Sequence, residues 1–309
     1  MGVENRIGPN GLMIVRKRVF EQNSKLALER IKKNADALSG KRVVLFSHLG
    51  FGDQIAIAPA VEAWSSRVDE LVLLEAPSNL AKVSRLYSYL PNLTFAEVPS
   101  QTLREAEEIS KNLNGRLVEG GRRVLQAAKA CFPKFGLNRL LCVGLLCDPN
   151  EMETHRLKRR ILDDYQESVP EEPFIFLDDR PGTSRRIPEK AINAIKNKGY
   201  KIVTNREGAR LESQGALLEH AKELHLVVSA PACLALAANL GKKHRNLYSN
   251  RANFLRQDYK DWRHHLVADG QRIRPMDAID SDSHLAALSR HWRPQTRHLW
   301  SEWKKHLMT

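Results

Sequence analysis

The feature that most constrains this chain is an apolar run that leads through a glycine turn into a second apolar run. The first run covers residues 42–47, the turn contains Gly50 and Gly52, and apolar residues at helical spacing follow to about Trp64. Such a pattern is typical of a buried parallel strand that feeds a helix in an α/β domain. The two glycines allow a sharp turn and let a ligand approach the main chain closely. The pattern therefore predicts a ligand-binding turn.

Asp53 lies on the first turn of the predicted helix, and its charge restricts what this turn can bind. In a dinucleotide-binding fold the pyrophosphate occupies this place, and a carboxylate there would repel it. The same carboxylate could act as a base toward a neutral hydroxyl group. The alternative is an ordinary first-turn carboxylate that stabilises the helix dipole.

Composition restricts the class of protein. The chain has 309 residues, enough for two compact domains, and its 42% hydrophobic and 28% charged residues are typical of a globular protein. No apolar run reaches the ~20 residues that span a bilayer, and residues 1–10 do not form a secretion signal, so we expect a cytoplasmic protein. The four cysteines lack metal-like spacing. The net charge of +13 would attract phosphate in a nucleotide, a nucleic acid or an anionic lipid.

Strands and helices alternate along most of the chain, which predicts an α/β fold with parallel sheets. The predicted strands cover residues 42–47, 70–75, 93–98, 174–177, 200–204, 224–228 and 245–248. The polar stretch 101–130 is predicted to be helical, and the apolar segment 137–147 could be a strand or a helix. The predicted organisation is an N-terminal helix within a Rossmann-like domain, a second Rossmann-like domain and a basic helical tail, covering residues 1–160, 161–275 and 276–309.

Two motifs resemble the heptosyltransferase-like family of glycosyltransferases. Residues 48–54, which read HLGFGDQ, are followed by Pro59 and Ala60 and resemble that family's opening loop. Residues 227–231 together with 236–242 are similar to its donor-binding turn and helix. The resemblance implies a GT-B arrangement, in which two Rossmann-like domains face each other. It also implies inverting transfer of a sugar from a nucleotide-sugar donor to a glycan or lipid-linked acceptor.

The resemblance also assigns roles to residues. It implies that Asp53 is the general base and that the N-terminal half holds the acceptor, with a loop formed by His48, Gly50, Gly52 and Gln54. The donor would be held in the C-terminal half by Arg180, Thr183, Ser184, Arg185, Asn205, Ser229 and Ala230. Because arginines and helix N-termini can stabilise a departing diphosphate, no metal and no separate cofactor are expected. Ser229 and Leu234 stand where the family usually has an acidic residue and a histidine.

Three other functions remain open. A dinucleotide-dependent oxidoreductase would use Glu75 as its ribose-binding acid, but Ile55 replaces the third glycine of that motif and Asp53 would face the pyrophosphate. A nucleotide-sugar epimerase could have the same two-domain fold. Nucleic-acid binding would explain the net charge, but the basic residues are dispersed and no zinc-finger spacing occurs, so no nucleic-acid partner is expected.

Several short motifs have ordinary explanations as well as functional ones. Asp178 and Asp179 are predicted to solvate or cap a loop rather than to bind metal. The DSD sequence at 280–282 is predicted to cap a helix. The basic, tryptophan-bearing tail could contact an anionic membrane surface, but the favoured interpretation is a C-terminal helix that packs back on the domains.

Overall fold

The computed structural model describes most of the chain between residues 24 and 275. The described residues are 24–47, 50–120, 124–125, 128, 132, 136–148, 155–165, 169–179, 186–205, 210–241, 244–249, 261–267 and 273–275. Within them the chain forms two separate β-sheets with parallel strands, each packed with helices. The predicted α/β class with two Rossmann-like sheets is confirmed. The tail at 276–309 lies outside the described residues.

The first sheet has four parallel strands in the order β3-β2-β1-β4. They are β1 (Arg42–Phe46), β2 (Glu70–Glu75), β3 (Leu93–Glu97) and β4 (Arg116–Glu119). The helices of this half are α1 (residues 24–37), α2 (Phe51–Ala56), α3 (Ala58–Ser65), α4 (Pro77–Leu86) and α5 (Leu103–Asn112). The two central strands are buried on both faces, which explains their continuous apolar sequences.

The second sheet has six strands in the order β10-β9-β8-β7-β5-β6. They are β5 (Phe174–Asp178), β6 (Lys201–Thr204), β7 (Glu223–Val227), β8 (His244–Ser249), β9 (Arg263–Val267) and β10 (Ile273–Pro275), and β10 alone runs antiparallel to its neighbour. Further helices are α6 (Leu137–Gly144), α7 (His155–Tyr165), α8 (Glu189–Lys196), α9 (Leu211–His220) and α10 (Ala230–Ala237).

The helices of the two halves pack against each other. Helix α2 of the first half contacts α10 of the second, and α7 contacts α9. One continuous group of buried apolar residues includes members from both halves, among them Ile55, Trp64, Phe176 and Leu234. The C-terminal edges of the two sheets are therefore held close to one another by packed helices.

Three local predictions were wrong. The stretch 101–130 is not helical throughout, because α5 is followed by β4 as an edge strand next to β1. Glycine is needed at this entry, since a Cβ on Gly115 would lie 2.5 Å from Val44 Cγ2. The single helix expected up to Trp64 is divided at Ile57 into α2 and α3. The strand predicted at 245–248 occurs as β8, but it is not the last strand, because β9 and β10 follow it.

Other predictions are confirmed or resolved. The seven predicted strands all occur, with ends that differ by one residue at most. The ambiguous segment at 137–147 contains a helix rather than a strand. The domain boundaries near residues 160 and 275 stay predictions. Among the helices of the described part, none combines the length and the apolar character that crossing a membrane requires.

Candidate active site

The first turns of α2 and α10 contact each other at the edge where the parallel strands end. Gly52 is in the first turn of α2, and a Cβ on it would lie 3.4 Å from Sγ of Cys233, in the first turn of α10. Ligands of open α/β sheets bind outside the carboxyl ends of the strands. We therefore expect the ligand crevice of such a fold where the glycine turn of the first sheet meets the turn at Ser229 of the second.

Asp53 is the titratable group of the first turn. Gly50 is the N-cap of α2, in an extended conformation, and the Asp53 N–H donates to its carbonyl oxygen at 2.9 Å. Burial raises the pKa of the Asp53 carboxyl above its ordinary value, and a hydrogen bond from the Gly50 backbone opposes this rise. A carboxylate with a raised pKa is the stronger proton acceptor, provided that it is ionised at the working pH.

Gln54 is predicted in the acceptor loop, and the structure shows what its side chain contacts. It is fully buried, and its Nε2 donates to the carbonyl oxygen of Ser47 at 3.1 Å. The backbone carbonyl oxygen of Gln54 accepts a hydrogen bond of 2.6 Å from the Tyr87 hydroxyl. These bonds join the end of β1 to α2 and α4, so Gln54 fixes the shape of the turn.

Glu75 is a second carboxyl group at the same edge, at the end of β2. It is 3% exposed, and its Oε1 accepts a hydrogen bond of 2.9 Å from the Ala76 N–H. Burial raises the pKa of Glu75 to about 7, while hydrogen bonds from Ala76 and the Asn79 side chain partly oppose the rise. The first sheet thus presents two carboxyl groups with raised pKa values near its glycine turn.

The raised pKa of Glu75 predicts a pH-dependent stability. Because the folded pKa is about 7 and the ordinary value is 4.5, the protein prefers the neutral carboxyl. Its contribution is complete below about pH 4.5 and is lost as the pH rises through 7. We expect the wild type to lose up to about 3 kcal/mol of unfolding free energy relative to Glu75→Gln between pH 5 and pH 8. Urea unfolding of both proteins across this range checks it, and a constant difference would contradict it.

The second sheet presents a polar chain at the ends of three strands. Asp178 is fully buried at the end of β5 and accepts hydrogen bonds from the Ser229 hydroxyl and, at 3.1 Å, from Asn205 Nδ2. Gln214 Nε2 donates to Asn205 Oδ1 at 2.6 Å. Because the Ser229 hydroxyl is used in this way, no side chain caps α10. In its first turn Pro231 has no N–H and the Cys233 N–H donates to the Ser229 carbonyl oxygen at 3.0 Å, so the N–H groups of Ala230 and Ala232 are those without an intrahelical acceptor.

The structure brings some of the predicted residues together. Gly50, Gly52, Asp53 and Gln54 form one turn, and Asn205 and Ser229 meet through Asp178. Ala230 begins α10. The remaining predicted residues lie outside the described part of the chain: His48, Arg180, Thr183, Ser184 and Arg185.

Sequence reasoning gave Asp178 and Asp179 the same role, but the structure separates them. Asp179 Oδ1 accepts from the Ile187 N–H at 3.0 Å, which is the loop-capping role that was predicted. Asp178 instead accepts hydrogen bonds from two residues predicted to bind the donor, Asn205 and Ser229. The sequence signal that could have separated it from Asp179 is its position as the last residue of a buried strand. Within the described ranges, no three His, Cys, Asp or Glu side chains are placed to hold a metal ion.

Comparison with known proteins gives a fold but no close relative. No family sequence model matches this chain, and no curated protein sequence matches it significantly. Among solved structures, a family 9 glycosyl transferase from Veillonella parvula DSM 2008 matches 82% of this chain and 97% of its own, at 11% identity and a TM-score of 0.50. This likeness agrees with the fold described above.

Two further solved structures match at lower TM-scores. The E. coli heptosyltransferase WaaC, determined with ADP, matches 81% of this chain and 99% of its own at 11% identity, with a TM-score of 0.41. The iron-containing dodecameric glycosyltransferase TibC from enterotoxigenic E. coli H10407 matches 69% of this chain and 59% of its own at 16% identity, with a TM-score of 0.43.

Proposed function

We propose that this protein is a glycosyltransferase that moves a sugar from a nucleotide-sugar donor to a glycan or lipid-linked acceptor. The observation that carries the proposal is the contact between the first turns of α2 and α10. It brings the turn that carries the half-buried Asp53 against the uncapped N-terminal turn of α10. The carboxyl group can accept a proton from an acceptor, and the helix N-terminus can bind a diphosphate.

In this proposal Asp53 acts as the general base. Its carboxylate takes the proton of the acceptor hydroxyl while the hydroxyl oxygen attacks the anomeric carbon of the donor. The bond from that carbon to the diphosphate oxygen breaks on the opposite face, so the configuration inverts. The raised pKa of Asp53 supports this role, because a more basic carboxylate removes the proton more readily.

The departing diphosphate would be stabilised at the N-terminus of α10. An uncapped helix start presents free N–H groups and a partial positive charge, both of which favour phosphate. Ser229 is turned away from these groups by its hydrogen bond to Asp178. We propose that this stabilisation replaces a divalent metal, with help from Arg180 and Arg185, which follow β5 in the sequence.

A thermal-shift screen with UDP-, GDP-, ADP-, CMP- and dTDP-sugars, run both with and without EDTA, tests the proposal. We expect one nucleotide sugar to raise the melting temperature, because a ligand that binds only the folded protein stabilises it. NAD(H) and a short DNA duplex serve as controls. A response to NAD(H) alone or to DNA alone would contradict the proposal. A shift that disappears with EDTA would contradict metal independence.

A further inference from the structure

Helix α2, which carries Asp53, is too short to fix its own orientation. It has six residues, and isolated helices shorter than about 12 residues are only marginally stable in water. No side chain caps its start at Gly50. At its other end Pro59 lacks the N–H that would bond to Ile55 and continue the helix. The direction in which Asp53 points therefore depends on the groups that pack around α2.

A tyrosine at the end of α4 gives α2 a fixed hydrogen-bond donor. The Tyr87 side chain is fully buried, and its hydroxyl donates to the backbone carbonyl oxygen of Gln54 at 2.6 Å. The Tyr87 backbone is held on both sides, because its N–H donates to Val83 at 3.1 Å and its carbonyl oxygen accepts from Leu90 at 3.0 Å. Burial raises the pKa of the Tyr87 hydroxyl well above its usual range, so the hydroxyl keeps its proton and remains a donor.

The side chain of Gln54 gives α2 a second attachment on a different element. Its buried Nε2 donates to the carbonyl oxygen of Ser47, at the end of β1, at 3.1 Å. One hydrogen bond thus ties Gln54 to α4 and the other ties it to β1. Two attachments on different elements restrict the rotation of the short helix about its own axis. Because Gln54 directly follows Asp53, they also restrict where the Asp53 carboxylate can point.

We propose that Tyr87 is a positioning residue for the general base, and that its hydroxyl holds α2 so that the Asp53 carboxylate faces the acceptor. This inference rests on the proposed function and adds to it a fully buried residue that touches no substrate. A general base must lie within about 2.6–3.2 Å of the oxygen whose proton it takes. A displacement of about 1 Å can lower the rate about a hundredfold, so one buried hydroxyl can control turnover.

Tyr87→Phe tests this role, because it removes only the hydroxyl group. The rate measured is release of nucleoside diphosphate from the nucleotide sugar identified by the thermal-shift screen, with water as the acceptor. We expect kcat to fall about ten- to a hundredfold. The KM for the nucleotide sugar should not change, because the donor site proposed at α10 is intact. In Asp53→Asn the same change should have no further effect, since no carboxylate is left to be oriented.

Tyr89→Phe is the matched control. The Tyr89 hydroxyl also donates a hydrogen bond of 2.6 Å, but to Glu62 of α3, which does not carry the base. This variant removes the same group two residues along the chain, so a general loss of stability would affect both variants. We expect Tyr89→Phe to keep the wild-type kcat. Equal losses of kcat in the two variants would overturn the inference.

The titration of Asp53 gives a readout that needs no substrate. Burial raises the pKa of Asp53 above its ordinary value. Tyr87→Phe should lower this pKa toward the ordinary value, because a loosened turn exposes the carboxyl to water, and Tyr89→Phe should leave it unchanged. NMR titration of carbon-labelled aspartate carboxyls, assigned with Asp53→Asn, measures it. An unchanged Asp53 pKa in Tyr87→Phe would overturn the inference, as would an equal fold-loss of kcat in the wild-type and Asp53→Asn backgrounds.

Failure of the proposed function gives a different result. Wild-type turnover in Asp53→Asn, with an Asp53 pKa that still responds to Tyr87→Phe, would count against Asp53 as the base. Tyr87 would then orient a carboxyl group that takes no part in the reaction.

Discussion

Asp53→Asn is expected to lower turnover by about a hundredfold to ten-thousandfold, the range measured for loss of a general base. The amide is nearly the same size and can still accept the hydrogen bond from the Gly50 backbone, so the α2 turn should keep its shape. Because the role proposed for Asp53 is toward the acceptor, the thermal shift produced by the nucleotide sugar should persist. The measurement is the initial rate of nucleoside diphosphate release at a saturating concentration of the donor.

A matched control separates the base from a general effect of charge. Asp69 is exposed in the turn before β2, so Asp69→Asn removes the same charge away from the crevice and should turn over normally. In the wild type the rate should fall as the pH drops through the raised pKa of Asp53. Turnover at the wild-type rate in Asp53→Asn would remove Asp53 from the mechanism.

The parts of the fold that were predictable are those in which one local pattern suffices. Strand β1 and the glycine turn were predictable because an apolar run, two glycines and a helical repeat stand next to each other in the chain. Strand β4 was not, because its four residues include two charged ones and only Val118 is buried. Its strand geometry comes from pairing with β1, which is a tertiary interaction. Strands β9 and β10 were missed for the same reason.

The candidate site divides in the same way. Asp53 and Ser229 could be predicted because each stands where a strand turns into a helix. The proximity of Ser47 and Glu75 could not, because they are 28 positions apart and meet only through the register of β1 and β2. The sequence pattern indicates that Glu75 ends a strand. Its burial and raised pKa follow only from what packs over that strand end.

Helix α7 ties the two halves together, and Gly215 in α9 sets how closely it can approach. The Leu157 N–H of α7 donates to Glu62 of α3 at 2.7 Å, and Lys158 forms an ion pair of 2.9 Å with Glu219 of α9. Ile161 of α7 is fully buried over Gly215. A Cβ on Gly215 would lie 1.8 Å from Ile161 Cγ2, which no small adjustment relieves.

Gly215→Ala is therefore expected to destabilise the protein by about 2–3 kcal/mol, the upper part of the range for overpacking a core. Helix propensity alone predicts the opposite sign, because alanine inside a helix is favoured over glycine by about 1 kcal/mol. Urea unfolding measures the difference, so its sign decides between close packing of α7 on α9 and intrinsic propensity. A more stable Gly215→Ala protein would mean that α7 does not rest on Gly215.

Combining Gly215→Ala with Ile161→Ala tests the contact itself. Each change alone should destabilise, the second because it removes a buried side chain and leaves a cavity. Together the new methyl group occupies space that Ile161 has vacated, so the double variant should be more stable than the sum predicts by about 1–3 kcal/mol. Because α7 joins α3 to α9, the single Gly215 variant should also weaken the nucleotide-sugar thermal shift, and the double variant should restore it. Strict additivity would show that the two residues do not contact each other and that the spacing between the halves is set elsewhere.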